Sequence, residues 1–260
     1  MTFLALYLMV LMAVFLLQRK MMYFPSRFTA EQQERFLAKI NLKPWPSQSE
    51  VRGFISTTPI NDTKGTVIVF HGNAGSAVHR PYFIDGLQNL GYRVIIAEYP
   101  GYGSRSGSPS EAALIQDGID SAKLALQNFK EPIFLCGESL GSGVVAGIVS
   151  SQRIPVKGLI LITPFDSMTN VAHHHYWFFL AKWLLRDRYD NVTRLSGFDG
   201  HIAVLLAEQD EVIPNQRTMA LFNSLQKPKR LWHFKNANHN TLPMESWHPW
   251  WKEVMEFIDR

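Results

Sequence analysis

The sequence predicts an α/β fold built on a mostly parallel sheet with helices covering both faces. Short apolar runs rich in β-branched residues recur along the chain, and segments with helical periodicity lie between them. Strands that alternate with helices indicate a parallel sheet, and strands buried on both faces are apolar throughout. A third observation is the turn Gly-Glu-Ser-Leu-Gly at residues 137–141, which joins an apolar run, 132–136, to a small-residue segment, 142–149.

The composition suits one large domain that is held together by packing. The chain has 260 residues, of which 46% are hydrophobic and 18% are charged, as expected for a globular protein with a sizeable core. The single cysteine, Cys136, rules out an internal disulfide framework. The net charge of +4 is modest, and the sequence carries no nucleic-acid-binding motif. We therefore expect no nucleic-acid partner.

The first residues predict a membrane anchor. Residues 3–17 are uninterrupted by charge, and apolar neighbours extend this run toward the length of about 18 residues that identifies a spanning helix. The basic start and small-residue cleavage site of a signal peptide are missing from this stretch. We predict a single anchor over residues 1–24, with an interfacial helix or a buried core helix as alternatives. Arg19 and Lys20 follow the run, which by the positive-inside tendency favours a cytoplasmic position for the rest of the chain.

The remainder of the chain divides into a connecting segment and one α/β domain. Residues 25–50 are predicted to connect, because Pro44-Trp45-Pro46 cannot continue the helical spacing seen before it. The domain is predicted to occupy residues 51–260. Its predicted strands are 51–57, 66–70, 93–98, 132–136, 158–162, 202–206 and 231–234, and its closing helix is 247–258.

A lid is predicted between two of these strands. About forty residues separate the strands 158–162 and 202–206, which is too many for a simple connection. We predict a lid insertion over about 164–200, with Trp177 and Phe178 contacting the substrate; an ordinary crossover helix is the alternative. The three histidines at 173–175 lack the i, i+4 spacing of a helical metal site, so no metal is expected.

The turn at residues 137–141 has the form of a nucleophile elbow. Such an elbow is a sharp strand-to-helix turn that exposes a serine hydroxyl at the edge of the sheet. Glycines at 137 and 141 would let the strand and the helix approach closely, because a Cβ at either position would clash. Ser139 is therefore the candidate nucleophile.

A serine nucleophile needs a base, and the base needs an acid to orient it. Asp210 follows the strand 202–206 and is the predicted acid, while Asp166, after the preceding strand, is the alternative. His239 lies in a polar turn after the last strand and is the predicted base. The developing oxyanion would be bound by the backbone N–H groups of Leu140, next to the nucleophile, and Asn73, after an early strand.

Taken together, these motifs resemble the α/β-hydrolase superfamily, and within it the membrane-anchored Bem-type serine hydrolases. Those are related to depalmitoylase-like α/β-hydrolase-domain proteins of eukaryotes. The matching stretches are 23–25, 71–75, 99–103, 137–141, 163–165, 210–214 and 238–240. The resemblance implies an α/β-hydrolase fold with a short helical lid, and Ser139, Asp210 and His239 as a catalytic triad. The chain departs from the family pattern at 207–208, where Ala-Glu replaces a frequent His-Gly.

The sequence thus predicts a serine hydrolase that cleaves carboxylic esters or thioesters through an acyl-enzyme. The aromatic lid favours a hydrophobic acyl group, and the expected partners are a small or lipid-like acyl substrate and a membrane. The alternatives are a serine peptidase of the same fold and a catalytically silent membrane-bound scaffold. The mechanism requires no cofactor, and none is expected.

Overall fold

A computed structural model describes residues 2–226 and 228–260 and is organised around one large sheet. In chain order, the strands of the described residues are β1 (Phe24–Pro25), β2 (Leu42–Pro46), β3 (Val51–Ser56), β4 (Gly65–Phe70), β5 (Ala74–Gly75), β6 (Tyr92–Ala97), β7 (Ile133–Glu138), β8 (Val156–Ile162), β9 (His201–Ala207) and β10 (Lys229–Phe234). The sheet has the order β10-β9-β8-β7-β4-β6-β3-β2. Neighbours from β10 to β6 run parallel, whereas β3 and β2 are antiparallel to their neighbours.

Helices cover both faces of this sheet. In chain order they are α1 (Thr2–Met22), α2 (Ala30–Lys39), α3 (Tyr82–Gln88), α4 (Glu111–Phe129), α5 (Leu140–Ser150), α6 (Met168–Tyr176), α7 (Ala181–Leu184), α8 (Asn191–Leu195), α9 (Asn215–Ser224) and α10 (Trp250–Ile258). Side chains of α4, α5, α8 and α9 share one core cluster, and those of α3 and α10 share another. Successive residues of β4 alternate between the two clusters, as a strand buried on both faces requires. The predicted fold class is confirmed.

The segment 25–50 contributes to the sheet, which the sequence did not predict. It contains α2 and β2, and β2 pairs antiparallel with β3 from Leu42 onward. The sheet therefore begins before the expected boundary at residue 51. Pro44 and Pro46 fit there because β2 is an edge strand, where a residue without an N–H is tolerated.

The first helix stands out from the sheet. Within α1, residues Phe3–Met22 are long and apolar enough to cross a membrane, and only 11% of the most apolar window is buried. Met1, the first residue of the predicted anchor, lies outside the described residues. The chain continues from α1 directly into β1, which pairs with β5 beside the sheet. The end of α1 is thereby joined to the loop that follows β4.

The insertion after β8 lies against α1. This insertion is the segment that the sequence predicts as a lid, and we keep that name for it. It consists of α6, a 3₁₀ turn at Trp177–Phe179, α7 and α8. The Tyr7 hydroxyl of α1 donates to the Phe178 carbonyl at 2.7 Å. The last piece, α8, packs on α5 instead. The part of the insertion that adjoins α1 is therefore α6 to α7.

Candidate active site

Ser139 occupies the sharp turn between β7 and α5. Its backbone has φ 52° and ψ −115°, a strained combination for a residue with a side chain. A Cβ at Gly137 would come within 2.6 Å of the Gly141 carbonyl oxygen, and a Cβ at Gly141 would collide with the carbonyl of Phe70. Only glycine at both positions permits this approach of helix to strand. The local geometry is that of a nucleophile elbow.

The structure brings Ser139, His239 and Asp210 into one hydrogen-bonded chain. The His239 Nε2 atom lies 3.0 Å from the Ser139 Oγ atom, and the His239 Nδ1 atom lies 2.8 Å from the Asp210 Oδ2 atom. Because a carboxylate only accepts hydrogen bonds, Nδ1 carries the proton and Nε2 is free to accept from the serine. Ser139 follows the carboxyl end of β7, His239 that of β10 and Asp210 that of β9. These ends meet at one edge of the parallel sheet.

The second oxygen of Asp210 holds the carboxylate in place. Its Oδ1 atom accepts the backbone N–H groups of Val212 and Ile213 at 2.9 and 2.7 Å. The side chain is only 2% exposed, and that of His239 is 12% exposed. Orientation of the imidazole is thus determined by a buried carboxylate that is itself fixed by backbone donors.

Asp166, the alternative acid, has other partners. Its carboxylate accepts from the Ser167 N–H, the Asn170 side chain and the Arg217 guanidinium at 2.7, 2.8 and 3.0 Å. These bonds join the start of α6 to α9. His239 donates to Asp210 instead, so the structure places Asp166 in a supporting ion pair rather than next to the histidine.

The loop after β4 passes close to Ser139, since a Cβ at Gly72 would lie 3.6 Å from the Ser139 Cβ atom. Asn73 borders the same cavity as Ser139 and Leu140. Its carbonyl accepts from the Phe24 N–H at 2.9 Å and the Tyr102 hydroxyl at 2.7 Å. Within the described part of the chain, the N–H groups of Asn73 and Leu140 have no protein acceptor. The use of these two N–H groups as oxyanion donors stays a prediction, and the absence of a competing acceptor is compatible with it.

Buried side chains shape this loop from below. His71 is fully buried; its Nδ1 lies 2.8 Å from the Gly72 carbonyl, and its Nε2 lies 3.4 Å from a Glu98 carboxylate oxygen. The Tyr99 hydroxyl donates to the His71 carbonyl at 2.7 Å. Burial raises the pKa of the Tyr99 hydroxyl well above its usual value, so it remains a donor. His71 therefore shapes this loop through its hydrogen bonds.

An apolar cavity of about 200 Å³ opens at Ser139. Its lining comes from the elbow, the lid and, unexpectedly, the C-terminal half of α1. Trp177 and Phe178, the predicted substrate contacts, do not line it, and they are 65% and 44% exposed. The lid instead turns Phe179 and the α6 side chains inward. The two predicted residues face outward because the 3₁₀ turn rests on α1 rather than on the sheet.

A second, more polar cleft borders His239. It is lined in part by Arg80 and Glu138, which the sequence did not single out. Their side chains form an ion pair with 2.8 Å between Arg80 Nε and Glu138 Oε2. Burial alone would lower the pKa of Arg80, but the Glu138 carboxylate outweighs it and the pKa is raised. The signal that could have indicated this pair is the position of Glu138, immediately before the elbow serine.

The described residues contain no group of three or more His, Cys, Asp or Glu side chains that could hold a metal ion. Of the three consecutive histidines in α6, His175 lies at the cavity, with Nε2 3.0 Å from the Val212 carbonyl.

Comparison with known proteins places the chain in a family. Residues 61–201 match the family Hydrolase_4, described as serine aminopeptidase, S33. The chain belongs to this family. Its fold is that of the α/β-hydrolase superfamily, as the solved structures also show. An esterase of Pyrococcus furiosus superposes with a TM-score of 0.66 at 16% identity, over 92% of this chain and 98% of the esterase.

Curated relatives are similar over most of the chain. Uncharacterized protein Rv2307c of Mycobacterium tuberculosis is 29% identical over 236 residues, which cover 89% of this chain and 83% of that protein. The lysophosphatidylserine lipase ABHD12 of Danio rerio is 29% identical over 199 residues, or 69% of this chain. That match spans only 50% of the lipase. The lipases and esterases among these relatives and structural neighbours support the conclusion that this chain is a hydrolase.

Proposed function

We propose that the chain is a serine hydrolase acting on carboxylic esters or thioesters with one hydrophobic acyl chain. One observation carries the proposal: the hydrogen bonds from Asp210 through His239 lead to Ser139, and Ser139 borders an apolar cavity. A nucleophile, a base and an orienting acid at these distances are what acyl transfer requires. The names of the relatives support a lipid-like substrate.

In this mechanism, Ser139 Oγ attacks the acyl carbonyl while His239 Nε2 takes its proton. The Asp210 carboxylate stabilises the imidazolium that forms, and the N–H groups of Leu140 and Asn73 bind the oxyanion. The tetrahedral intermediate collapses, the bond to the leaving group breaks, and His239 protonates that group. Water, deprotonated by His239, then attacks the acyl-enzyme and releases the carboxylic acid with Ser139 restored.

The two spaces beside Ser139 and His239 suit the two halves of such a substrate. The apolar cavity at Ser139 would hold the acyl chain, and the polar cleft at Arg80 and Glu138 would hold the alcohol or thiol. Aminopeptidases must bind a free ammonium group, for which a carboxylate is the usual partner. None of the described residues that line the apolar cavity is acidic. The cavity therefore favours an uncharged acyl group over an amino-acyl group.

We further propose that α1 anchors the protein in a membrane. Its apolar stretch of 20 residues, Phe3–Met22, spans about 30 Å as a helix, close to the thickness of a bilayer's hydrocarbon core. The basic residues Arg19 and Lys20 lie at its domain end, which favours a cytoplasmic catalytic domain.

Labelling with a fluorophosphonate, which reacts with activated serines, tests the proposal. We expect the wild type to label at Ser139, and Ser139→Ala not to label. His239→Ala should reduce the labelling rate at least about a hundredfold, because the base is removed. An unlabelled wild type would contradict the proposal and favour the catalytically silent scaffold. An adduct on another serine would contradict the assignment of Ser139 as the nucleophile.

A substrate panel then separates the ester and peptidase readings. We expect hydrolysis of acyl esters or acyl thioesters and none of aminoacyl or peptidyl amides. Cleavage of the amides at a comparable kcat/KM would overturn the ester assignment in favour of a peptidase. The panel should be run with the full chain in detergent, because α1 lines the cavity.

A further inference from the structure

The cavity at Ser139 has one wall made by the N-terminal helix. Val14, Phe15, Gln18, Met21 and Met22 all line it. Their spacing is that of a single helix face, with residues at i, i+1, i+4, i+7 and i+8. Over these nine positions the helix runs about 12 Å along the cavity. A membrane anchor that served only as a tether would have no reason to border the nucleophile.

The remaining residues of this stretch point away from the cavity. Leu16 and Leu17 do not line it, and they are 66% and 46% exposed. Val14 and Phe15 are partly buried, and Gln18 is only 8% exposed. The cavity face of this stretch is therefore apolar except for Gln18, and Leu16 and Leu17 belong to an outer face. The basic residues Arg19 and Lys20 do not line the cavity either.

The one amide on the cavity face is fully used. The Gln18 side-chain nitrogen donates to the Phe15 and Leu184 carbonyls, and its oxygen accepts the Arg186 N–H at 2.7 Å. These bonds join α1 to the end of the lid. They also leave no free polar atom of Gln18 for a ligand, so this wall offers hydrocarbon contacts.

The wall is fixed relative to the reacting atoms. The Asn73 side chain donates to the Met22 carbonyl at 2.8 Å, and the Phe24 N–H donates to the Asn73 carbonyl at 2.9 Å. The residue that would supply an oxyanion donor thus also holds the end of α1. An acyl chain of the substrate bound along α1 would therefore begin at the carbonyl group that Ser139 attacks.

We propose that the cavity face of α1 is the subsite for the acyl chain and limits its length. Val14 is the cavity-lining residue of α1 that lies farthest along the helix from Met22, so its side chain marks the far end of this wall. The volume, about 200 Å³, lies below the 300–1,000 Å³ that is usual for drug-sized ligands, so it fits one hydrocarbon chain rather than two. The substrate class is accordingly a single-chain acyl lipid. The identification of the bound chain as the acyl group rests on the proposed function.

Bulk introduced at the far end of the wall tests the subsite. Val14→Trp should lower the ratio of kcat/KM for a dodecanoyl ester to that for a butyryl ester at least about tenfold. The larger ring would shorten the pocket, so that the last methylene groups of the dodecanoyl chain lose their contacts while the butyryl chain still fits. Leu16→Trp adds the same ring two residues away on the outer face, and its ratio should equal that of the wild type. An unchanged ratio in Val14→Trp, or equal losses in both variants, would overturn the proposal.

A binding experiment keeps this test independent of the reaction. In the Ser139→Ala background, displacement of a fluorescent fatty acid by dodecanoate should be weakened at least about tenfold by Val14→Trp and left unchanged by Leu16→Trp. Binding that shows this difference without any hydrolysis by the wild type would retain the subsite and reject the proposed function. Equal dodecanoate affinity in both variants would reject the subsite alone. If Val14→Trp does not fold, Val14→Phe places a smaller ring at the same position of the cavity and serves in its place.

Discussion

At the scale of single residues, the site depends on backbone positions that few side chains tolerate. Ser139 has a positive φ, and the glycines on either side of it have no room for a Cβ. The strain at Ser139 is maintained because β7 and α5 are buried on both sides of the turn. A change at the glycines should therefore act on folding rather than on chemistry alone.

Gly141→Ala should lower the free energy of unfolding by at least about 3 kcal/mol, because the new methyl collides with the Phe70 carbonyl, which belongs to a buried strand and cannot move aside. Urea unfolding followed by circular dichroism measures this. Gly197→Ala is the matched control, since a Cβ there meets nothing within 4 Å. Equal stability of the two variants would show that the elbow is looser than the structure indicates.

Asp210→Asn should lower kcat for an ester substrate by a factor on the order of 10³–10⁴. An amide nitrogen in place of Oδ2 would donate toward His239 Nδ1, which forces the proton onto Nε2 and removes the acceptor for Ser139. Asp166→Asn is the control, because that carboxylate bonds Arg217 and Asn170 instead. Its kcat should remain within a few-fold of the wild type. A larger loss of kcat in Asp166→Asn than in Asp210→Asn would identify Asp166 as the acid instead.

At the scale of elements, the lid and α1 are joined by a polar cluster where the lid ends. Arg19 makes two hydrogen bonds of 2.8 and 3.0 Å to Asp187, and the Tyr23 hydroxyl bonds the same carboxylate at 3.1 Å. The Tyr189 hydroxyl lies 2.9 Å from that of Tyr23. Burial raises the pKa of both tyrosines well above the usual value. Both hydroxyls therefore stay protonated and can hold the lid to the helix.

Asp187→Asn should loosen the lid without unfolding the sheet. Loss of a buried carboxylate that accepts charged and neutral donors costs about 1–3 kcal/mol, which corresponds to roughly 5- to 160-fold faster local exchange. Hydrogen exchange of residues 168–188 measures this. Asp199→Asn, on an exposed acid after α8, should leave the exchange of these residues unchanged. Faster exchange throughout the sheet would mean that the cluster stabilises the whole fold instead.

At the scale of the whole molecule, the contact between α1 and the lid determines how the protein can meet a membrane. The lid reaches Tyr7, which lies fifteen positions before Met22 and thus about 22 Å along the helix. The side chains of Trp177, Phe178 and Trp183 are exposed there. If α1 crosses a bilayer, this aromatic turn lies at the depth of the lipid chains. Large exposed apolar patches mark such contacts in general.

A spin label tests this arrangement. The protein has one cysteine, Cys136, which is buried, so a label on Trp177→Cys in vesicles should report that site. We expect this label to be accessible to oxygen, which is concentrated in lipid, and shielded from a water-soluble paramagnet. Trp247→Cys is the control, because Trp247 is 82% exposed in the loop before α10, and its label should be shielded from oxygen and accessible to the water-soluble paramagnet. Two labels that both report water would place the lid outside the bilayer.

The sequence by itself determined the fold class and the candidate residues of the site. Ser139 was identifiable because an elbow is a local structure: its glycines and flanking elements lie within about a dozen residues. The central strands were readable for a similar reason, since strands buried on both faces are apolar along their whole length. Asp210 and His239 followed from the rule that loops after parallel strands meet at one edge.

Tertiary structure decided which surfaces those elements cover. An apolar helix such as α1 reads as an anchor, and its sequence does not reveal that one face borders Ser139, because that depends on contacts with a lid more than 150 residues away. The same contacts turn Trp177 and Phe178 outward. Edge strand β2, rich in proline, was missed because its pairing with β3 comes from the sheet and not from propensity. Local patterns specify elements, whereas the faces that meet are specified only by the packed chain.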